Sequence, residues 1–99
     1  MSSYIEHIME HVRLAILRHL NEAPAYSAND SFLYGLVNRL GLTATRDQIR
    51  TALTWLSQQG LVETETIASV MVATITQSGI EVAAGRSIVP GIQRPSPGA

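Results

Sequence analysis

Few side chains in this 99-residue chain could do chemistry. His7 and His11 stand one helical turn apart, the spacing at which two imidazoles can share a metal ion, and Glu10 is beside them. His19, the remaining histidine, projects elsewhere from the same segment, so the ligand set stays incomplete and no metal site is assigned. Cysteine is absent, which excludes disulfides, thiolate zinc sites and thiol nucleophiles. No glycine-rich phosphate loop, nucleophile elbow or HExxH pair occurs. The reading is of a protein that is not an enzyme and holds no cofactor.

The side chains left are arginines and small polar residues, and they concentrate in one stretch, Thr45 to Gly60. Thr45 can accept from the free N–H groups of a first helical turn, and Gln48 can reach back to it, which makes a capping box. Ile49, Ala52, Leu53 and Leu56 recur at helical spacing and mark a buried face. The opposite face carries Asp47, Thr51, Thr54 and Gln58, with Arg50 and Trp55 on its flanks. Gly60 closes the helix. Such a face, short-chained and polar, suits a surface helix that reads something.

The elements that position this helix follow from periodicity. Tyr4 to about Asn21 is predicted helical, with Ile5, Ile8, Met9, Val12, Ile16 and Leu20 on one stripe and Leu14 and Leu17 off it. A helix apolar on more than one side sits centrally or meets a second chain. Pro24 ends it, and residues 23–28 are expected to form a loop. Asn29 caps a second helix that runs from about Asp30 to Leu40 and stops at Gly41. Two helices joined by this tight turn make a helix-turn-helix pattern. Residues 61–67 and 70–76 are rich in β-branched types and predict an antiparallel hairpin, although Ala68-Ser69 lacks the dipeptides that fix a two-residue turn. Thr76 caps a short fourth helix closed by Gly85. The expected organisation is a domain over 1–86 and a Pro/Gly-rich tail over 87–99, in which Ile88, Val89 and Ile92 can anchor the first part.

With 45% hydrophobic residues the chain can build one small core. No apolar run approaches a membrane span and no signal peptide is predicted, so no membrane is expected as a partner and the expected location is the cytoplasm. The formal net charge is −1, unusual for a protein that must neutralise phosphates.

The order helix, helix, helix, hairpin, helix resembles a winged helix-turn-helix of the ArsR and MarR type: mainly α, with a three-helix core, a two-stranded wing and a short C-terminal helix. The likeness is sharpest from Thr45 to Gly85, where Leu53 to Val62 looks like a recognition helix running into a wing strand. Ala73 to Gly79 resembles the second wing strand and the Thr-x-x-Gly start of the next helix. Over nearly its full length the chain also resembles a family of small proteins of Mu-like phages and prophages. Residues 13–17, 46–50, 82–86 and 89–91 carry that likeness. These resemblances imply a phage or bacterial setting and transcriptional regulation through double-stranded DNA. The helix after Thr45 would enter the major groove, with Arg46 and Arg50 on guanine or phosphate and Gln48 on adenine. Thr51 and Thr54 would reach phosphates or thymine methyls, and Arg39 a backbone phosphate. Regulators of this kind dimerise through terminal helices, which points to His7, His11, Leu14 and Arg18 as a homodimer contact. The alternative is a protein–protein module in phage assembly or host takeover. Two features run against the DNA reading: Asp47 is central on the exposed face, and the wing tip has no basic residue while Glu63 and Glu65 precede it.

Overall fold

In the computed structural model, which describes residues 3–95, a long first helix carries the rest of the chain. Helix α1, Tyr4–Glu22, starts where the Ser3 hydroxyl accepts from the Glu6 amide at 3.0 Å. It buries Met9, Val12, Leu14, Ile16, Leu17 and Leu20 and packs against each of the other helices. Its apolar residues therefore point in more than one direction because the helix is central. Ile5, expected on the buried stripe, is 61% exposed, since burial along α1 begins only at Ile8 and Met9.

Residues 23–28 do more than loop. A single 3-10 turn, Pro24–Tyr26, leads into a short strand β1, Ser27–Asn29. The strand escapes sequence reading because three residues are too few to show alternation. It pairs antiparallel with the hairpin, and the Ser27 and Thr74 hydroxyls share a 2.6 Å hydrogen bond across the pair. The sheet has three strands, ordered β1-β3-β2, with β2 at Val62–Ile67 and β3 at Val70–Ile75. Val62, Ala73 and Ile75 turn to the core, whereas Glu63 and Glu65 lie on the opposite face with Val72 and Thr74. The hairpin turn is two residues long, and both Ala68 (φ 48°) and Ser69 (φ 67°) are left-handed, as a type I′ connection demands. Neither residue type favours that region, so the register is held by the strands rather than by the turn.

Helix α2, Asp30–Arg39, is capped by Asn29, whose side chain accepts from the Phe32 amide at 2.7 Å. Helix α3, Arg46–Gln58, has the capping box in full: Thr45 Oγ1 accepts from the Gln48 amide, and Gln48 Oε1 accepts from the Thr45 amide at 2.8 Å. Between them, the Asn38 side chain holds the turn by bonding to both the N–H and the carbonyl of Ala44.

One junction joins α3, the hairpin and helix α4, Gln77–Ala83. The Leu61 amide donates back to the Leu56 carbonyl at 2.9 Å, and the Leu61 carbonyl accepts from the Thr76 amide at 3.0 Å. Thr76 Oγ1 donates to the Gly60 carbonyl at 2.7 Å and accepts from the Gly79 amide at 3.1 Å. Gly79 is pressed so close that a β-carbon on it would lie 2.2 Å from the Leu61 carbonyl oxygen and 2.6 Å from Ile75. The Thr-x-x-Gly spacing is thus a packing requirement.

Two stability outcomes follow. Gly79→Ala forces backbone apart and should cost at least about 2 kcal/mol in urea titration. Ser69→Gly relieves a left-handed side chain and should add about 0.5–1 kcal/mol, seen as a higher melting temperature with unchanged circular dichroism.

Candidate nucleic-acid interface

Ile49, Ala52, Leu53 and Leu56 pin α3 to the core. Their burial turns Asp47, Thr51, Thr54 and Gln58 outward, where with Arg50 and Trp55 they line a shallow, open depression. Arg46 and Arg50 stand along the edge of this face nearest α2. The Arg46 guanidinium lies 4.8 Å over the Tyr34 ring and donates to the Ser31 hydroxyl at 2.8 Å. Arg50 reaches further. Its Nε is 3.0 Å from Asp30 Oδ2, close enough for an ion pair though without an aligned N–H···O bond, and its terminal nitrogen donates to the Ser69 carbonyl at 3.1 Å. A hairpin tip without a basic residue of its own therefore has the Arg50 cation lodged against it.

The other expected DNA contacts are distributed differently. Gln48 spends its carbonyl oxygen on the capping box and lies beside the first turns of α1, away from the Thr51 and Thr54 edge. Arg39 is exposed at the end of α2 and makes no hydrogen bond or ion pair among the described residues. The structure brings together Arg50, Thr51 and Thr54 in one depression; Arg46 lies one turn before Arg50 against α2, and Gln48 and Arg39 stand apart from them. Asp30, Ser69 and Tyr34, which set where the two arginines point, carry no signal in the sequence because their roles exist only once α2 and the hairpin are folded.

On α1, His11, Leu14 and Arg18 line one groove, and the exposed His7 ring stands edge-on to His11 at 4.9 Å. Leu14 is 7% exposed and forms floor rather than rim. No group of three or more histidine, aspartate or glutamate side chains suited to a metal occurs among the described residues.

No family model matches the chain. It is 38% identical over 90 residues to a protein of Escherichia phage Mu named "uncharacterized protein gp26", covering 91% of this chain and 93% of that one. The chain belongs to the phage Mu gp26 family. It is also 42% identical over 76 residues to an uncharacterized protein of Haemophilus influenzae, covering 76% of this chain and 74% of that one. The expected kinship with proteins of Mu-like phages is met. No described helix is long and apolar enough to cross a membrane.

Only part of a second cluster in this member of the family was expected from sequence, Ile92 as an anchor of the tail, and Arg13 was not. Arg13 sits inside the apolar run of α1 and is 8% exposed. Its guanidinium lies 4.5 Å over the Trp55 ring and donates to the Gly91 carbonyl at 2.8 Å and to Glu6 Oε1 at 3.1 Å. The Gln93 amide donates to the Glu10 carbonyl at 3.2 Å, and Ile92 is buried at 7% exposure. Residues 89–93 are thus strapped across α1 and the Trp55 flank of α3, while Ile88 stays 61% exposed and residues 96–99 of the expected tail lie outside the described residues. The signal available was a lone arginine amid Val12, Leu14 and Ile16.

A β-carbon on Gly91 would stand 2.8 Å from the Trp55 ring. Gly91→Ala should therefore lift the strap, red-shift the emission of the single tryptophan and cost about 1–3 kcal/mol by chemical denaturation.

Proposed function

We propose that this protein binds double-stranded DNA as a winged helix-turn-helix homodimer and acts as a phage or prophage transcriptional regulator in the bacterial cytoplasm. In this reading α2 and α3 are the helix-turn-helix, β2–β3 is the wing, and α3 enters the major groove. The observation that carries it is the edge of α3. Arg46 and Arg50 stand one turn apart there, stacked or anchored by α2 and the hairpin tip, and Arg50 shares a depression with Thr51 and Thr54. Anchored guanidinium groups lose less side-chain freedom on binding, which favours contact with phosphate or guanine. Lodging Arg50 at the hairpin tip supplies the positive charge that the wing sequence lacks. Two copies present four such arginines to one duplex, a local positive footprint on chains whose formal net charge is −1 each.

A second reading has a specific observation behind it. Asp47 is exposed on the same face, and Glu63 and Glu65 are exposed on the outer face of the hairpin. That surface also suits a basic protein partner in phage assembly or host takeover.

Fluorescence anisotropy with fragments of Mu-like phage DNA separates the two. The DNA reading expects binding that weakens with salt, the logarithm of affinity falling with a slope of about −4 against log salt if all four arginines meet phosphate. Arg46→Ala should cost about 1–3 kcal/mol, and Thr54→Glu, which touches no core residue, should abolish binding with the fold intact. Absence of binding at low salt would overturn the DNA reading and leave the protein-partner one.

A further inference from the structure

One face of α1 is only partly covered by the domain: Tyr4 and Glu22 at its ends are exposed, and the residues between them on that face are half-buried. Tyr4, Ile8, His11, Ala15, Arg18 and Glu22 follow one another along it at helical spacing, and none of the six is buried. The C-terminal half of this face borders a groove of about 390 Å³ lined by Leu14, Leu36 and Leu42, with Leu40 at its rim. The N-terminal half borders a smaller hollow of about 260 Å³, beside Gly41 and Thr43. Apolar side chains protrude at the N-terminal end, where Tyr4 is 80% and Ile5 61% exposed, and Leu40 on the rim of the larger groove is 58% exposed. The face therefore carries knobs at one end and a hole at the other. The two ends lie within a helix about 28 Å long.

We propose that this face is a self-complementary interface on which α1 of a second copy lies antiparallel. The proposal deepens the homodimer part of the reading above and identifies its contact. A two-fold axis near His11 places Tyr4 and Ile5 of the partner subunit in the groove between Leu36, Leu40 and Arg18, and the reciprocal contact forms by symmetry. Ala15, small and central, lets the helices approach closely. The antiparallel arrangement opposes the two helix dipoles and brings the Glu22 carboxylate beside the N-terminal turn of the partner's α1, where negative charge is favoured. A parallel pairing would instead stack the knobs of the two copies on each other and leave both grooves open. The interface differs from the set His7, His11, Leu14 and Arg18: Leu14 serves as floor, and Tyr4, Ile5 and Leu40 become the anchors.

The chain has no cysteine, so single introduced thiols give a clean test, made on the full chain without DNA. Sedimentation equilibrium should return twice the 10.7 kDa chain mass. Leu40→Glu, a change at an exposed position, should raise the dimer dissociation constant at least about tenfold with the circular dichroism spectrum unchanged. Under mild oxidation His11→Cys should form a disulfide-linked dimer and Thr51→Cys, on the exposed face of α3, should not. A chain that stays monomeric at its highest attainable concentration overturns the proposal. So does a dimer that cross-links through Thr51→Cys and not His11→Cys. Either outcome leaves the DNA measurement standing on its own, and loss of DNA binding would leave this interface untouched.

Discussion

The Leu61 peptide is where the fold is tied. Its N–H closes α3 on the Leu56 carbonyl, and its carbonyl receives the Thr76 amide from the far end of the hairpin. Thr76 then uses one hydroxyl twice, donating to Gly60 and accepting from Gly79 to start α4. Each bond is an ordinary one, about 1 kcal/mol net. Their joint effect is larger because they converge on neighbouring residues and leave no slack between three elements. Any residue but glycine at 79 would drive a side chain into the Leu61 carbonyl. The angle at which the hairpin leaves α3 is consequently set by backbone contacts rather than by a flexible hinge, and the position of the hairpin tip beside Arg50 follows from it.

Charge is handled with the same economy. Of the seven arginines, Arg13 is buried under the tail and Arg86 is paired with Glu81, whose carboxyl it holds below the usual carboxylate range. Arg50 bridges Asp30 and Ser69, and Arg46 lies on Tyr34. Among the described residues Arg18, Arg39 and Arg94 lack any such partner, and they sit on α1, at the end of α2 and in the tail. The basic groups are thus structural first. Arg50 in particular joins the first turn of α2 to the hairpin tip across α3. A phosphate arriving there would compete with the Asp30 carboxylate for the same cation. Any ligand of the α3 edge would have to offer Arg50 more than Asp30 already does.

Most of the secondary structure was legible in sequence, and the reason differs by element. The α3 helix was readable at both ends because capping chemistry is local: Thr45 and Gln48 bond each other three residues apart at one end, and the Gly60 amide bonds to Ser57 three residues back at the other. The hairpin was readable from β-branched content and its turn lies at Ala68-Ser69 as expected, but the conformation of that turn was not readable, because Ala68 and Ser69 accept left-handed backbone only under tertiary pressure. Strand β1 was invisible for the same kind of reason; Ser27, Ala28 and Asn29 are a strand only because β3 lies beside them. The candidate site was legible as a list of residues and not as an arrangement. Spacing put Arg46 and Arg50 near one edge, but only the fold pairs them with Tyr34, Asp30 and Ser69 and removes Gln48 to the capping box.

The pattern of α1 resolves an ambiguity that periodicity could not. A helix apolar on more than one side sits centrally or meets a second chain, and α1 is central, packing against each of the other helices. Met9, Val12, Ile16 and Leu20 face the core. The Glu6, Glu10 and Arg13 sector receives the tail, with Arg13 replacing an apolar side chain because Trp55 and the Gly91 carbonyl can accept a cation there. In the Tyr4, Ile8, His11 and Ala15 sector Tyr4 is exposed and the other three are half-buried, bordered by open grooves rather than by a covering element. A 99-residue chain has little apolar surface to spare, so leaving Tyr4, Ile5 and Leu40 in water costs stability that a second copy would return. In this way the tail strap and the open groove divide the two sides of one helix. One side is closed by the chain itself, and the other is the face on which the proposed second copy would lie.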